Sequence, residues 1–204
     1  EGPPPAVTVI EGAHPSEVLT TLATLTGRIE LPPRWALGFH QSKWNYAPAD
    51  NVLEVARTFR ERRLPADVIW VDIDYMDAYK VFTFDPDFGD VTKLNDALHE
   101  LGWKAAWMID PGIKIEPGYH VYDEAVAGEH LLEFEGVVWP GPTVFPDFTR
   151  KATREWWAGL YRDFLATGVD AVWNDMNEPS NLEDVPDKAL PADVHHRADD
   201  ALGG

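Results

Sequence analysis

Four short apolar runs, Trp35 to His40, Val68 to Ile73, Trp103 to Ile109 and Val169 to Asn174, alternate with stretches whose apolar residues recur at helical spacing. Val52, Val55, Ala56 and Phe59 make the first stripe. Leu94, Ala97, Leu98 and Leu101 make the second, closed by Gly102, and Ala152, Trp156, Leu160 and Phe164 the third, closed by Gly168. Strand and helix in strict alternation imply right-handed βαβ units around a parallel sheet. Doubly wound and barrel topologies both satisfy that rule. No Gly-rich phosphate loop follows the first strand, where a nucleotide site would need one, so the α/β barrel is favoured. Ahead of this series lie a short helix from about Ser16 to Thr26, with Val18, Leu19, Leu22 and Leu25 expected inside and Gly27 as its stop, and a joint at Pro32-Pro33. Residues 1–30 therefore read as a lead-in and 31–204 as the barrel portion.

The chain has 204 residues, 45% of them hydrophobic, enough to bury a core. Its net charge of −18 comes from scarce basic residues, since the charged fraction is only 25%. That balance argues against nucleic acid and anionic membranes as partners and suits a neutral substrate. With no cysteine there is no disulfide and no thiolate metal site, which fits a reducing compartment, so a cytoplasmic location is the expectation. No uninterrupted apolar stretch could span a bilayer, and Glu1-Gly2-Pro3-Pro4-Pro5 is not a signal peptide. Nine tryptophans supply flat apolar faces of the kind that stack on sugar rings.

Each strand ends in polar residues: His40-Gln41-Ser42, then Asp72 and Asp74, then Asp110, then Asp175 and Glu178. The last is the most abrupt, because Val169-Asp170-Ala171-Val172-Trp173-Asn174 runs into Asp175-Met176-Asn177-Glu178, and Pro179 halts the ladder. Turns favour Asp and Asn, so a single such residue would mean little. In a barrel, however, all four ends converge on the face that carries the site. Residues 74–90 and 111–149 follow strands and far exceed the usual βα connection, which suggests functional loops rich in aromatics. Asp72-Ile73-Asp74 has residue types that could hold Mg²⁺ or Ca²⁺, but the phosphate loop or basic clamp of a hard-cation phosphoryl site is missing, and His195-His196 is a weak signal. There is no Ser or Cys nucleophile elbow. The expectation is an enzyme without metal or cofactor that uses carboxylates on a neutral polyhydroxylated substrate, which is glycoside hydrolysis.

Five ordered blocks carry a resemblance: Gly38-Phe39-His40-Gln41-Ser42-Lys43-Trp44; Trp70-Val71-Asp72-Ile73-Asp74-Tyr75-Met76; Met108-Ile109-Asp110-Pro111-Gly112-Ile113; residues 138–149, which contain Trp139-Pro140-Gly141; and Trp173-Asn174-Asp175-Met176-Asn177-Glu178-Pro179-Ser180. The chain resembles glycoside hydrolase family 31, the α-glucosidase family, from about residue 15 to its end. The resemblance implies a partial (β/α)8 TIM barrel, strands 1 to 4 with long βα-loop insertions, preceded by the tail of a β-sandwich in residues 1–30. It implies a retaining mechanism on α-glucosides of the maltose type, with Asp175 as nucleophile and Glu178 as a neighbouring acid in the network around it. Asp72 would bind sugar hydroxyls; Ile73, Met108, Asp110, Trp139, Trp173 and Met176 would shape the substrate pocket, with Trp44 near its rim. Met176-Asn177-Glu178 is similar to the glucosidase branch, whereas xylosidase-like branches carry Phe-Gly-Glu.

Two departures stand out. Ala171 replaces a common Gly, and the family's acid/base Asp lies on a later strand, with an Arg and a His, so the remainder of the same barrel is the expected partner. Two other readings compete. Asn177-Glu178-Pro179 also resembles the acid/base motif of clan A β-glycosidases, which would make Glu178 the proton donor. Alternatively the chain is a sugar-binding fragment without turnover, because one carboxylate cannot be both nucleophile and acid.

Overall fold

The computed structural model of the chain describes residues 6–182, 189–191 and 193–199. It divides into two units, Glu1–Leu37 and Gly38–Gly204. The first holds helix α1 (Pro15–Thr26), which starts on a proline whose missing N–H costs a first helical turn nothing. The apolar stripe expected to be inside is not: α1 buries no residue, and Leu19, Leu22 and Leu25 are exposed. An amphipathic stripe needs a facing element, and among its described residues this unit otherwise offers only a 3-10 turn at Arg34–Leu37. That turn also corrects the first strand. Ala36 donates back to Pro33, and the ladder opens only at Phe39, whose carbonyl accepts from Asp67 and Val68, so the strand is His40–Lys43 and does not begin at Trp35.

In the second unit β1 (His40–Lys43), α2 (Ala49–Glu61), β2 (Val68–Val71), α3 (Val91–Glu100) and β3 (Lys104–Ile109) follow in strict alternation. After an insertion, the series closes with α5 (Lys151–Ala166) and β7 (Ala171–Asn174). The four main strands form a parallel sheet in the order β1-β2-β3-β7, with His40 opposite Val68, Trp70 opposite Ala106 and Met108 opposite Trp173. Gly102 and Gly168, the predicted helix stops, sit at φ +73° and +92°, where a β-carbon is disfavoured.

Residues 111–149, expected as a loop, contain structure of their own. Strands β4 (Ile113–Lys114), β5 (Leu131–Val138) and β6 (Gly141–Pro146) form an antiparallel sheet in the order β4-β6-β5, with helix α4 (His120–Ala127) between the first two. Leu132, Val138 and Phe145 give this sheet a small core. Residues 74–90 fold instead as short 3-10 turns, one of which, Ile73–Tyr75, ends β2 two residues earlier than the apolar run suggests.

The period-2 alternation of side chains gives the sheet two faces. Trp107 faces the helices: it is fully buried, donates from Nε1 to Asn95 on α3 at 3.1 Å, and meets the Tyr75 ring edge-on at 4.7 Å. Trp103 donates to the Ala56 carbonyl of α2. His40 and Ser42, Trp70 and Asp72, Ala106, Met108 and Asp110, and Trp173 and Asp175 share the opposite face. At the other end of the strands Asp170 ties β7 to its neighbours, accepting from Lys104 Nζ at 2.7 Å and the Ala105 N–H at 2.9 Å and pairing with His99 Nε2 at 2.6 Å.

Candidate active site

The carboxyl ends of β1, β2 and β7 enclose a cleft of about 360 Å³ walled by His40, Ser42, Lys43, Trp44, Trp70, Asp72 and Trp173. That volume lies in the range of small-ligand pockets. Trp70 and Trp173 meet edge to face at 6.1 Å across its floor, and Trp70 donates its indole N–H to His40 Nδ1 at 3.1 Å. A larger groove of about 620 Å³ lies between α4 and α5, away from the strand ends.

Asp72 is half-buried at the exit of β2 and accepts from the Ile73 N–H at 2.7 Å, capping the 3-10 turn. Burial pushes its carboxyl above the ordinary range; that N–H opposes the shift, and the charges of Asp175 and Asp74 add to it. Asp175 is half-buried just past β7, anchored by its N–H to the Ile109 carbonyl at 3.2 Å. The chain then turns sharply. Met176 takes a left-handed φ of +56°, and Asn177 donates to the Asp175 carbonyl at 2.6 Å. Asp110 sits just past β3, the strand between those that carry Asp72 and Asp175; it is 3% exposed, and its Oδ1 has no hydrogen-bond partner among the described residues. Burial first, and then the negative charges of Asp175 and Asp72, push its pKa up to about 7. Neither Asp110 nor Asp175 lines the cleft itself; they stand on the adjoining strand ends.

The other expected site residues divide. Met108, 1% exposed, lies on the carboxylate face one residue-pair below Asp110. Trp44 and Trp139 meet edge to face at 5.2 Å and are both exposed, the second carried by the turn between β5 and β6. Ile73 is buried in the main core rather than on the cleft wall. Met176 packs against the Leu132, Val138 and Phe145 cluster of the insertion sheet. Glu178 is exposed and accepts from the Ser180 hydroxyl, which holds its carboxyl below the usual range. Asp74, raised as a cation ligand, instead accepts from the Tyr79 hydroxyl at 3.0 Å, and among the described residues no three His, Asp or Glu side chains are arranged to hold a metal. Of His195-His196, His196 pairs through Nδ1 with buried Asp147 at 3.3 Å. Trp70 was overlooked; its place two residues before Asp72, on the same face of the same strand, was the available signal.

A parallel βα sheet with carboxylates gathered on adjoining strand ends defines a stretch of TIM barrel and its functional face. Residues 29–201 match the family model described as Glycosyl hydrolases family 31 TIM-barrel domain, and the chain belongs to that family. It is similar to Alpha-glucosidase 2 of Bacillus thermoamyloliquefaciens, 40% identical over 94% of this chain and 25% of that protein. Among solved structures, the Family 31 alpha-glucosidase from Bacteroides thetaiotaomicron superposes with a TM-score of 0.80 at 46% identity, over 91% of this chain and 33% of that one. The catalytic subunit in an ER glucosidase II complex gives 0.84 at 36% identity, over 91% and 21%. The chain thus spans a third or less of these relatives, and its four parallel strands are the first part of the barrel.

Proposed function

We propose that this chain is the nucleophile-bearing part of a retaining α-glucosidase. Asp175 attacks the anomeric carbon and forms the glycosyl ester, while Asp72 accepts hydrogen bonds from hydroxyls of the sugar held against Trp173 and Trp70. The observation that carries the reading is the placement of Asp72 and Asp175 on one face, close enough for the charge of Asp175 to act on Asp72, beside an aromatic cleft open to a neutral ligand. The matched relatives, named as α-glucosidases, support the substrate class.

Glu178 as proton donor is the weaker reading, because its side chain is exposed and engaged by Ser180. The donor is proposed to come from a later strand of the same barrel, as the family resemblance implies. In the complete protein, Asp175→Asn should abolish hydrolysis of maltose, since an amide cannot form the ester, while Glu178→Gln should retain measurable turnover. Equal loss in both variants, or full activity in Asp175→Asn, would reject the assignment.

A further inference from the structure

Asp110 is the one carboxylate of the three that burial removes from solvent, and it offers an oxygen that nothing among the described residues satisfies. Buried polar atoms are almost always paired, so an orphaned carboxyl oxygen beside two acidic neighbours needs a reason. The groups facing it from the packed elements are Asp72 at the end of β2, Asp175 beyond β7, and the phenol of Tyr75, whose hydroxyl donates to the Met108 carbonyl. Among the described residues both charged neighbours are carboxylates, so within this part of the barrel a proton is the counter-ion that the geometry leaves to Asp110.

We propose that Asp110 is a positioning residue that keeps its carboxyl proton while Asp175 carries the charge of the site, and that its protonation governs how readily Asp175 departs from the sugar. The inference rests on the proposed role of Asp175. When the ester forms, Asp175 is neutralised and Asp110 loses the larger of its two repulsions, leaving burial as the main force on its proton. When water attacks the anomeric carbon, the C–O bond of the ester breaks, its electron pair returns to Asp175, and the attacking water gives its proton to the general base. A neutral Asp110 lets that charge return. An ionised Asp110 sets a second buried negative charge beside it and makes Asp175 a poorer leaving group.

Two measurements on the complete protein test this. The first is infrared difference titration, reading the carbonyl stretch of a buried carboxylic acid in wild type and in Asp110→Asn, which keeps the size of the neutral form. The acid band should persist in wild type up to about pH 7 and be missing from the variant. The second is the rate at which an enzyme trapped as its fluoroglucosyl ester regains activity. General-base help rises with pH, so a fall on the alkaline side reports Asp110. We expect wild type to lose about tenfold between its optimum and two units above it, and Asp110→Asn to stay within about twofold. Asp110→Ser, smaller and also uncharged, should share the flat profile, so an unstable Asn variant does not end the test. An unchanged acid band, or an alkaline fall that survives in both variants, overturns the inference. If the band vanishes with Asp110 but the trapped ester maps to a residue other than Asp175, the protonation of Asp110 stands and the proposed nucleophile fails.

Discussion

Replacing Asp170 should loosen the strand pair that sets Asp175 beside Asp110. Its carboxylate, 14% exposed, accepts from Lys104 and from the Ala105 N–H and pairs with His99, so it joins β7, β3 and α3 at one point. Removing it by Asp170→Ala strands a backbone donor and an ammonium. A hydrogen bond to a charged group contributes about 1.5–3 kcal/mol, but Lys104 is 39% exposed and its share is screened by solvent. The net loss should be about 2–3 kcal/mol of local stability. Amide hydrogen exchange reads local opening directly and does not need the protein to unfold in two states. Exchange across Ala106–Ile109 should speed up about 30- to 140-fold, at tenfold per 1.4 kcal/mol. Asp170→Asn, which keeps an acceptor for the Ala105 N–H, should lose about half as much. The pH dependence has a definite sign. Burial pushes the Asp170 carboxyl up, yet the bonds from Lys104, Ala105 and His99 outweigh it and hold the folded value below 3.8. Its stabilisation is therefore complete above that value and fades as pH falls through the lower folded one, so wild type and Asp170→Ala should converge in acid. Exchange in Asp170→Ala within about threefold of wild type at neutral pH would refute the argument.

Other expectations follow from the same contacts. Asp72→Ala should lower kcat/KM on a short maltooligosaccharide by about 2–4 kcal/mol in transition-state binding; a change under about threefold would place Asp72 outside the site. Trp107→Ala should cost about 3–5 kcal/mol of stability, because it empties a fully buried site and leaves Asn95 Oδ1 without its donor, and a thermal melt shifted by less than a degree would contradict it. Residues 1–204 produced alone should associate in light scattering, since among the described residues β1 and β7 each have a neighbour on one side only, and should not hydrolyse maltose; a monomer that turns maltose over would overturn the proposed origin of the proton donor.

The parts of this fold that were legible in the sequence are those encoded by local periodicity. The stripes of α2, α3 and α5, the glycine stops of the last two and the apolar runs of β2, β3 and β7 all depend on neighbours within a few residues. The start of β1 was not legible, because Trp35-Ala36-Leu37 is apolar enough for a strand but has no pairing partner until Phe39 meets Asp67. The insertion sheet was missed although Leu132, Phe134 and Gly136 alternate with Glu133 and Glu135, since length and aromatic content suggested a loop. At the site, the strand-end carboxylates could be named but not ranked. Burial of Asp110, exposure of Glu178 and the turning of Met176 toward Phe145 arise from contacts between segments far apart in the chain, which no local pattern records.

Asp175 is the residue proposed to form the covalent bond to sugar. A mechanism-based cyclitol epoxide that mimics α-glucose, incubated with the complete protein and followed by peptide mapping, reads that bond directly. The expected result is a single adduct on Asp175 and none on Glu178, with protection by maltose. An adduct on Glu178 with Asp175 unmodified would contradict it.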